Sequence, residues 1–187
     1  MFDEWDDLAK NYGVTLPKVL TPKAESSTAS QGWWTPERVE QASSHLQKHA
    51  KLSPIGAKGL VARWAGVEAQ GGPDSVNPTS GATGIGQWLG TRKNGVPADF
   101  EGQLNHAVKE LNSSESAAAK RLRAAQTPED AAVGASMFER AEGYDPKTGR
   151  DNFVDSTIRT LKRFGVARPK GADFDHLEST YLDAQQP

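Results

Sequence analysis

The chain of 187 residues contains no cysteine, so disulfide bonds and thiolate metal sites are excluded. Long hydrophobic runs are also missing, because no stretch approaches the roughly 18 apolar residues that a membrane-spanning helix needs. The first ten residues, MFDEWDDLAK, have neither a basic start nor an apolar run, which argues against a Sec signal peptide. We therefore expect no membrane insertion, and delivery to any target outside the cytoplasm by something other than a signal sequence.

A strong charge of either sign is missing as well. The 22 Lys and Arg residues nearly balance the 24 Asp and Glu residues, and the formal net charge is −2. This balance gives no strong attraction to nucleic acid or anionic lipid, so we expect no nucleic-acid partner. A content of 36% hydrophobic and 25% charged residues is typical of a soluble globular protein with a modest core.

Composition divides the chain into three parts. Residues 1–34 mix acidic residues, Gly and Pro with the polar run AESSTASQG, as linkers and disorder-prone segments do. Residues 35–165 carry periodic apolar positions and are predicted to form one folded domain. Residues 166–187 are predicted to be a C-terminal tail that could include a short helix. The N-terminal arm holds a candidate docking patch of four apolar residues: Trp5, Leu8, Tyr12 and Val14.

Helix start signals recur within the folded part. Thr35, Ser53 and Thr127 each precede a proline, and hydroxyl side chains cap helices whose first turn accepts proline. Apolar residues at helical spacing predict helices over about 36–50, 54–69, 100–111, 118–125, 128–138 and 154–164. Residues 70–83 are dense in Gly, Pro, Asn and Ser and are predicted to be a loop. No alternating segment of useful length occurs, so the predicted fold class is mainly α.

One segment indicates chemistry: the apolar helix that ends in Trp64-Ala-Gly-Val-Glu68, and the Gly-rich loop that returns to Trp88. Trp64 and Glu68 are four residues apart and are predicted to share a helix face, which Trp88 could cover. A carboxyl group among apolar side chains stays protonated near neutral pH, and this is what a general acid requires. The alternative interpretation is a solvated glutamate at a helix end, followed by an ordinary turn.

This segment resembles the phage tail lysozyme family and, more distantly, goose-type lysozymes and soluble lytic transglycosylases. These families share a helix ending in a catalytic Glu, then a polar loop with Asn-Pro, then Ser-Gly-Ala-x-Gly-hydrophobic-x-Gln-Trp or a close variant. The matching residues are Glu68, Asn77-Pro78 and the run from Ser80 to Trp88. The match continues downstream and covers about residues 53–164, with these further elements: Arg92, Gln103-Leu104, Glu110-Leu111, residues 127–132, residues 138–140 and Arg150.

The resemblance implies a lysozyme-like helical domain with a Gly-rich active-site loop. The implied reaction is cleavage of the β-1,4 bond between N-acetylmuramic acid and N-acetylglucosamine in peptidoglycan. Glu68 would be the general acid, with no cofactor and no metal. The side chains expected to line the cleft or bind the substrate are Ser80, Gln87, Trp88 and Trp64. One departure is Ala69, because the family commonly has Ser after the catalytic Glu.

The identity of a second carboxylate stays open at this stage. Hydrolysis with inversion needs a base about 6.5–9.5 Å from the acid to activate water, whereas a lytic transglycosylase uses a hydroxyl of its own substrate. The candidates are Asp74, Glu139 and Glu142. Asp74 lies in the loop after the acid but could be a turn residue, and Glu139 matches a family position but could pair with an arginine. We expect hydrolysis, with transglycosylation to 1,6-anhydro products as the alternative.

The expected setting is a phage particle. An enzyme without a signal peptide could be assembled into the virion in the host cytoplasm and then act on the cell wall or in the periplasm. Its expected partners are peptidoglycan glycan strands and other virion proteins, in the tail or inside the particle, contacted through residues 1–34. The alternatives are an endolysin, a secreted bacterial effector, and a virion structural or wall-binding protein without activity.

Overall fold

The computed structural model describes residues 32–69 and 71–166, and the fold of these ranges is mainly helical, as predicted. Extended pairing within them is limited to three isolated β-bridges. None of the helices in the described part is long and apolar enough to cross a membrane. The α-helices are α1 (Pro36–Ala50), α2 (Pro54–Arg63), α3 (Phe100–Leu111), α4 (Ser116–Ala124), α5 (Pro128–Glu139) and α6 (Val154–Arg163).

The three hydroxyl-proline signals do start helices. The side chains of Thr35, Ser53 and Thr127 accept hydrogen bonds from backbone N–H groups in the first turns of α1, α2 and α5. Ser53 also donates to the carbonyl groups of Leu122 and Ala125, at 3.1 and 2.8 Å. Its hydroxyl group therefore caps α2 and joins the start of that helix to the end of α4.

Helix α2 lies at the centre of the domain and packs against α1, α4, α5 and α6. Its buried residues include Leu60 and Val61, which belong to the main hydrophobic core. Gly59 allows α5 to approach closely, because a Cβ at position 59 would lie 2.5 Å from the Cβ of Ala131. The last residue of this central helix, Arg63, is also completely inaccessible to solvent.

The predicted helix over 54–69 changes character before it ends. The α-helix stops at Arg63, and Trp64–Glu68 form a single π-helical turn closed by a 2.8 Å bond from Ala69 N–H to the Trp64 carbonyl group. Gly66 faces α6, where a Cβ would lie 2.3 Å from Oγ1 of Thr160. This turn is therefore wider than the predicted α-helical one, and its fit against α6 depends on a glycine.

The predicted Gly-rich loop after the π turn is held in place by one buried amide. Gln103 of α3 accepts a hydrogen bond from Ile85 N–H and donates to the carbonyl groups of Pro73 and Pro97, at 2.8, 3.0 and 2.9 Å. Bridges of Thr83 with Val76 and Trp88 fold the loop back on itself. The loop is followed by a short 3₁₀ helix at Gly90–Lys93.

Two tryptophans, Trp33 and Trp34, pack against the domain just before α1. The Nε1 atom of Trp34 donates to the carbonyl group of Ala69 at 2.8 Å, and Trp33 and Trp34 both make edge-to-face contacts with Phe100. The ring of Trp33 also lies against Gly72, where a Cβ would be 2.3 Å from the ring. The candidate docking patch within residues 1–31 and the predicted tail from residue 167 onward lie outside the described residues.

Candidate active site

The π turn determines which side chains meet Glu68. An α-helical turn would place Glu68 beside Trp64, four residues earlier. The observed partner is instead Arg63, whose Nε lies 2.6 Å from Oε1 of Glu68. Such single π turns occur frequently at functional sites. The Glu68 side chain keeps 14% of its surface accessible, so it is not sealed from solvent as Arg63 is.

Arg63 also binds a second carboxylate, which the sequence analysis did not identify. Its Nη1 and Nη2 atoms lie 3.0 and 2.8 Å from the two carboxylate oxygens of Asp151. The pair is bidentate, and both side chains are fully inaccessible to solvent. Burial alone would raise the pKa of Asp151, but the hydrogen bonds and charge of Arg63 lower that pKa below its ordinary value. Asp151 is therefore a buried carboxylate in its ionised form.

Glu139 supplies another carboxyl group at the same site. It is the last residue of α5, and its Oε1 accepts a 2.7 Å hydrogen bond from Nε1 of Trp64. Burial of its carboxyl group, followed by the negative charge of Glu68, raises the pKa of Glu139 well above the ordinary value. Arg92, the Trp64 hydrogen bond and Arg63 oppose this rise without cancelling it. The site therefore holds two electrostatically linked carboxyl groups, and the protein environment favours the protonated form of Glu139.

This arrangement differs from the apolar pocket expected around Glu68. A guanidinium group lies against the Glu68 carboxyl group, and the strongly disfavoured negative charge belongs to Glu139. The predicted pairing of Trp64 with Glu68 is replaced by a pairing of Trp64 with Glu139. The reason is the extra residue in the π turn, which changes the rotation of Glu68 relative to α2.

Trp88 does not cover Glu68 as expected. Its side chain is buried, with 1% exposure, and its Nε1 donates to Oε2 of Glu110 at 2.7 Å. Arg92 binds both oxygens of Glu110, at 2.8 and 2.9 Å, and donates to the carbonyl group of Phe138 at 3.0 Å. Trp88 is therefore part of a buried network that supports the end of α5, where Glu139 lies. Trp64 is likewise fully buried, so neither indole ring offers a stacking surface to a sugar.

Gln87 and Ser80 lie on the active-site loop. Gln87 is one of three non-glycine residues in the described ranges with a left-handed backbone, with φ 45°. Its amide group donates to the carbonyl group of Gly84 at 3.0 Å. Ser80 is exposed, and its hydroxyl group accepts a hydrogen bond from Ala82 N–H at 3.3 Å. Backbone N–H groups of Thr79 and Ser80 bind the side chain of Asn77 and shape this turn.

The other two carboxylate candidates lie apart from this cluster of contacts. Asp74 is exposed and makes no hydrogen bond or ion pair with any residue in the described ranges. Glu142 is an exposed turn residue whose backbone carbonyl group accepts a bond from Asn152 N–H. Within residues 32–69 and 71–166, no group of three or more His, Asp or Glu side chains could hold a metal ion.

Comparison with known proteins places the chain in a family. The model of the family described as phage tail lysozyme matches residues 37–156, which is more than half of the chain. The chain belongs to the phage tail lysozyme family. Comparisons with curated proteins and with solved structures gave no match. Family membership confirms the resemblance found in the sequence and indicates a glycosidase-type peptidoglycan hydrolase of phage origin.

Proposed function

We propose that this phage tail lysozyme cleaves the β-1,4 bond between N-acetylmuramic acid and N-acetylglucosamine, with Glu68 as general acid and Glu139 as the second carboxyl group. The observation that carries the proposal is the electrostatic link between these two carboxyl groups, one of which has a strongly raised pKa. Two interacting carboxyl groups titrate as a pair and readily retain one proton between them. A retained proton is what cleavage of a glycosidic bond requires.

The proton can be delivered through Glu68. Arg63 binds Oε1 of Glu68, and no hydrogen bond within the described residues involves Oε2. That oxygen is therefore free to donate a proton to the glycosidic oxygen of a bound glycan strand. As the bond breaks, the proton moves from the carboxyl group to the leaving oxygen, and the positive charge of Arg63 stabilises the carboxylate that remains.

A second assignment exchanges the roles of the two residues. It is favoured by the raised pKa of Glu139, because a carboxyl group that is kept protonated by its environment can act as a general acid. Glu139 would then donate the proton, and Glu68 would activate water. The contact of Trp64 with Glu139 leaves the other oxygen of that carboxyl group as the donor.

A chemical test separates these assignments. An acid variant, unlike a base variant, recovers activity on a substrate whose leaving group needs no proton. Glu68→Gln and Glu139→Gln would each be assayed on peptidoglycan and on a nitrophenyl chitooligosaccharide. Recovery on the activated substrate by Glu68→Gln alone is expected. Recovery by Glu139→Gln alone supports the exchanged roles, and full activity of Glu68→Gln on peptidoglycan excludes both assignments.

The products decide between two forms of the reaction. We propose hydrolysis, which leaves a reducing muramic acid end. The raised pKa of Glu139 favours the alternative, transglycosylation, because a protonated carboxyl group is a poor base for water. Mass spectrometry of digested peptidoglycan distinguishes these products, since muropeptides found wholly in the 1,6-anhydro form would rule out hydrolysis. A protein that binds glycan strands without releasing muropeptides would instead be a structural or wall-binding protein.

The proposed setting is the virion, where the enzyme acts on the cell wall or in the periplasm. Membership of a family of phage tail lysozymes supports this setting. We further propose that residues 1–34 bind another virion protein. Detection of the chain in purified particles by mass spectrometry tests the setting, and its presence only in the lysate would favour an endolysin.

A further inference from the structure

Arg63 joins the proposed acid, Glu68, to the carboxylate of Asp151, which lies 88 positions after Arg63 in the chain. All three of its nitrogen atoms bind carboxylate oxygens: Nε binds Glu68, and Nη1 and Nη2 bind Asp151. The Asp151 carboxylate also accepts a 2.9 Å bond from Phe153 N–H, and the ring of Phe153 lies 5.1 Å from the guanidinium carbon. Asp151 and Phe153, just before α6, therefore hold the guanidinium group of Arg63, which belongs to the end of α2.

We propose that Asp151 is a positioning residue, which orients and tunes Glu68 through Arg63 without touching the substrate. The proposal rests on the function proposed above, with Glu68 in the reaction. Asp151 is fully buried behind Arg63, so it has no route to a glycan strand. Its effect on the reaction must pass through the guanidinium group.

Asp151 first acts through geometry, by fixing the orientation of Arg63. A bidentate pair with a carboxylate fixes the plane of a guanidinium group, because two parallel N–H bonds must align at once. With Nη1 and Nη2 held by Asp151, the third donor, Nε, points at Oε1 of Glu68. This contact fixes the Glu68 carboxyl group through one oxygen and leaves the other oxygen without a hydrogen bond to a described residue.

The positioning is also electrostatic. The charged or titratable groups around Glu68 come from four elements: Arg63 at the end of α2, Asp151 before α6, Glu139 at the end of α5, and Arg92 near Glu139. Asp151 neutralises much of the Arg63 charge. The charge of Arg63 lowers the pKa of Glu139, so without Asp151 an uncompensated guanidinium group would oppose proton retention by the carboxyl pair more strongly.

The first test is Asp151→Asn, which keeps the shape of the side chain and removes its charge. We expect kcat on peptidoglycan fragments to fall at least about tenfold while KM changes by less than about twofold, as for an interaction that matters in the transition state. The alkaline limb of the pH–activity profile should also move to lower pH. The matched control is Asp130→Asn, which removes the carboxylate 2.7 Å from Arg121 without touching Arg63, Arg92 or Glu68, and it should leave that limb in place.

The second test separates positioning from stability. Removing one partner of a buried ion pair is strongly destabilising, whereas removing both is much milder. We therefore expect Arg63→Gln combined with Asp151→Asn to melt at a higher temperature than Asp151→Asn alone, while kcat stays at least about tenfold below wild type. Activity that recovers together with stability would show that the pair is merely structural and would overturn the proposal. So would a folded Asp151→Asn variant with the wild-type kcat and pH profile.

A third measurement does not depend on turnover. The ¹³C chemical shift of the Glu68 carboxyl carbon, assigned through Glu68→Gln, can be followed against pH in the full chain. Asp151→Asn should change the pH dependence of this chemical shift, because it removes the buried carboxylate that holds Arg63 against Glu68. An unchanged pH dependence would contradict the positioning role. Failure of the wild-type protein to cleave any peptidoglycan would instead defeat the proposed function and leave this shift measurable.

Discussion

Trp64 donates its indole N–H group to Oε1 of Glu139 over 2.7 Å, while the preceding residue, Arg63, donates to Glu68 over 2.6 Å. Two consecutive residues, the last of α2 and the first of the π turn, therefore hold the two carboxyl groups of the site. One carboxyl group receives a cationic donor and the other a neutral donor. Burial of Glu139, followed by the negative charge of Glu68, raises the pKa of Glu139, and the neutral hydrogen bond from Trp64 opposes that rise without cancelling it.

The first prediction concerns the neutral donor. The Trp64 hydrogen bond lowers the pKa of Glu139, so Trp64→Phe should raise that pKa further and make the carboxyl pair hold its proton to higher pH. The alkaline limb of the pH–activity profile should then move upward, by roughly 0.5–1 pH unit for a hydrogen bond of about 1 kcal/mol.

The matched control is Trp88→Phe. It removes an indole bond of the same length, from Nε1 to Oε2 of Glu110, but Arg92 still binds that oxygen. Trp64→Phe should lose about 1–3 kcal/mol of stability, because it leaves a buried acceptor on Glu139 unpaired, and the loss of the hydrogen bond should cost less in Trp88→Phe. Only Trp64→Phe should alter the pH profile. Equal shifts of the profile in the two variants would contradict the assignment of Glu139 to the reacting pair.

A second prediction concerns stability against pH. The pKa of Glu139 is raised in the folded protein by burial and then by Glu68, from an ordinary value of 4.5. Between the two pKa values the unfolded chain releases this proton while the folded chain keeps it. The contribution of Glu139 to stability is therefore complete below about pH 4.5 and is lost as the pH rises through the folded pKa.

Glu139→Gln should remove this loss and melt above wild type at pH 8, by roughly 3 °C or more, while losing activity. Melting temperatures measured between pH 4 and pH 9 check the prediction. The exposed Glu142→Gln serves as the control and should follow the wild-type curve. The difference in melting temperature between Glu139→Gln and wild type should therefore grow from pH 5 to pH 8. An equal difference at the two pH values would show that ionisation of Glu139 does not destabilise the folded protein.

Much of the helical fold could be predicted because its signals are local. Thr35, Ser53 and Thr127 act through hydrogen bonds to backbone groups three residues later, so a short stretch of sequence contains both partners. The mainly α fold class and the loop that follows Glu68 depend on the same kind of local information. The family motif identified Glu68 as a candidate acid without any knowledge of its partners.

The surroundings of Glu68 could not be predicted in this way. The bond between Arg63 and Asp151 joins residues 88 positions apart, and the π turn depends on how Gly66 fits against Thr160 of another helix. One signal was available: Arg63 is a charged residue in the otherwise apolar run Leu60-Val-Ala-Arg63-Trp. A buried arginine requires a carboxylate partner, but the sequence alone does not identify that partner.

A third prediction concerns the backbone of Gln87. Its φ of 45° is unfavourable for a residue with a side chain, at a cost of about 1–2 kcal/mol. Gln87→Gly should relieve this strain but increase the entropy of the unfolded chain, so stability should change by less than about 1 kcal/mol. If the amide group serves the substrate, activity should still fall at least about tenfold.

Lys51→Gly is the matched control for Gln87. Lys51 has a similar φ of 59° at the C-terminal cap of α1, away from the loop, and its replacement should leave activity unchanged. Chemical denaturation and peptidoglycan turnover measure the two effects separately. A fully active Gln87→Gly variant would limit the role of this residue to shaping the loop.

A fourth prediction concerns the fit between the π turn and α6. Gly66→Ala would place a Cβ 2.3 Å from Oγ1 of Thr160, and overpacking of this kind costs about 1–3 kcal/mol. Activity should also fall, because the turn that carries Glu68 has to move. Adding Thr160→Ala removes the clashing hydroxyl group and should restore part of both stability and activity. If the losses in the double variant are the sum of those in the single variants, contact with Thr160 is not the cause of the damage at position 66.

The last prediction concerns the boundary between the N-terminal arm and the domain, which the sequence placed after residue 34. Trp34 binds the carbonyl group of Ala69, next to Glu68, and Trp33 packs against Gly72 and beneath the guanidinium group of Arg38, 4.3 Å away. Deleting residues 1–31 should therefore keep the melting temperature and the activity on isolated peptidoglycan, while abolishing incorporation into particles. Deleting residues 1–34 should lower both the melting temperature and the activity, because the loop after Glu68 loses its aromatic support. If the shorter deletion already costs several degrees, the arm belongs to the fold, and attachment to another virion protein is no longer its main role.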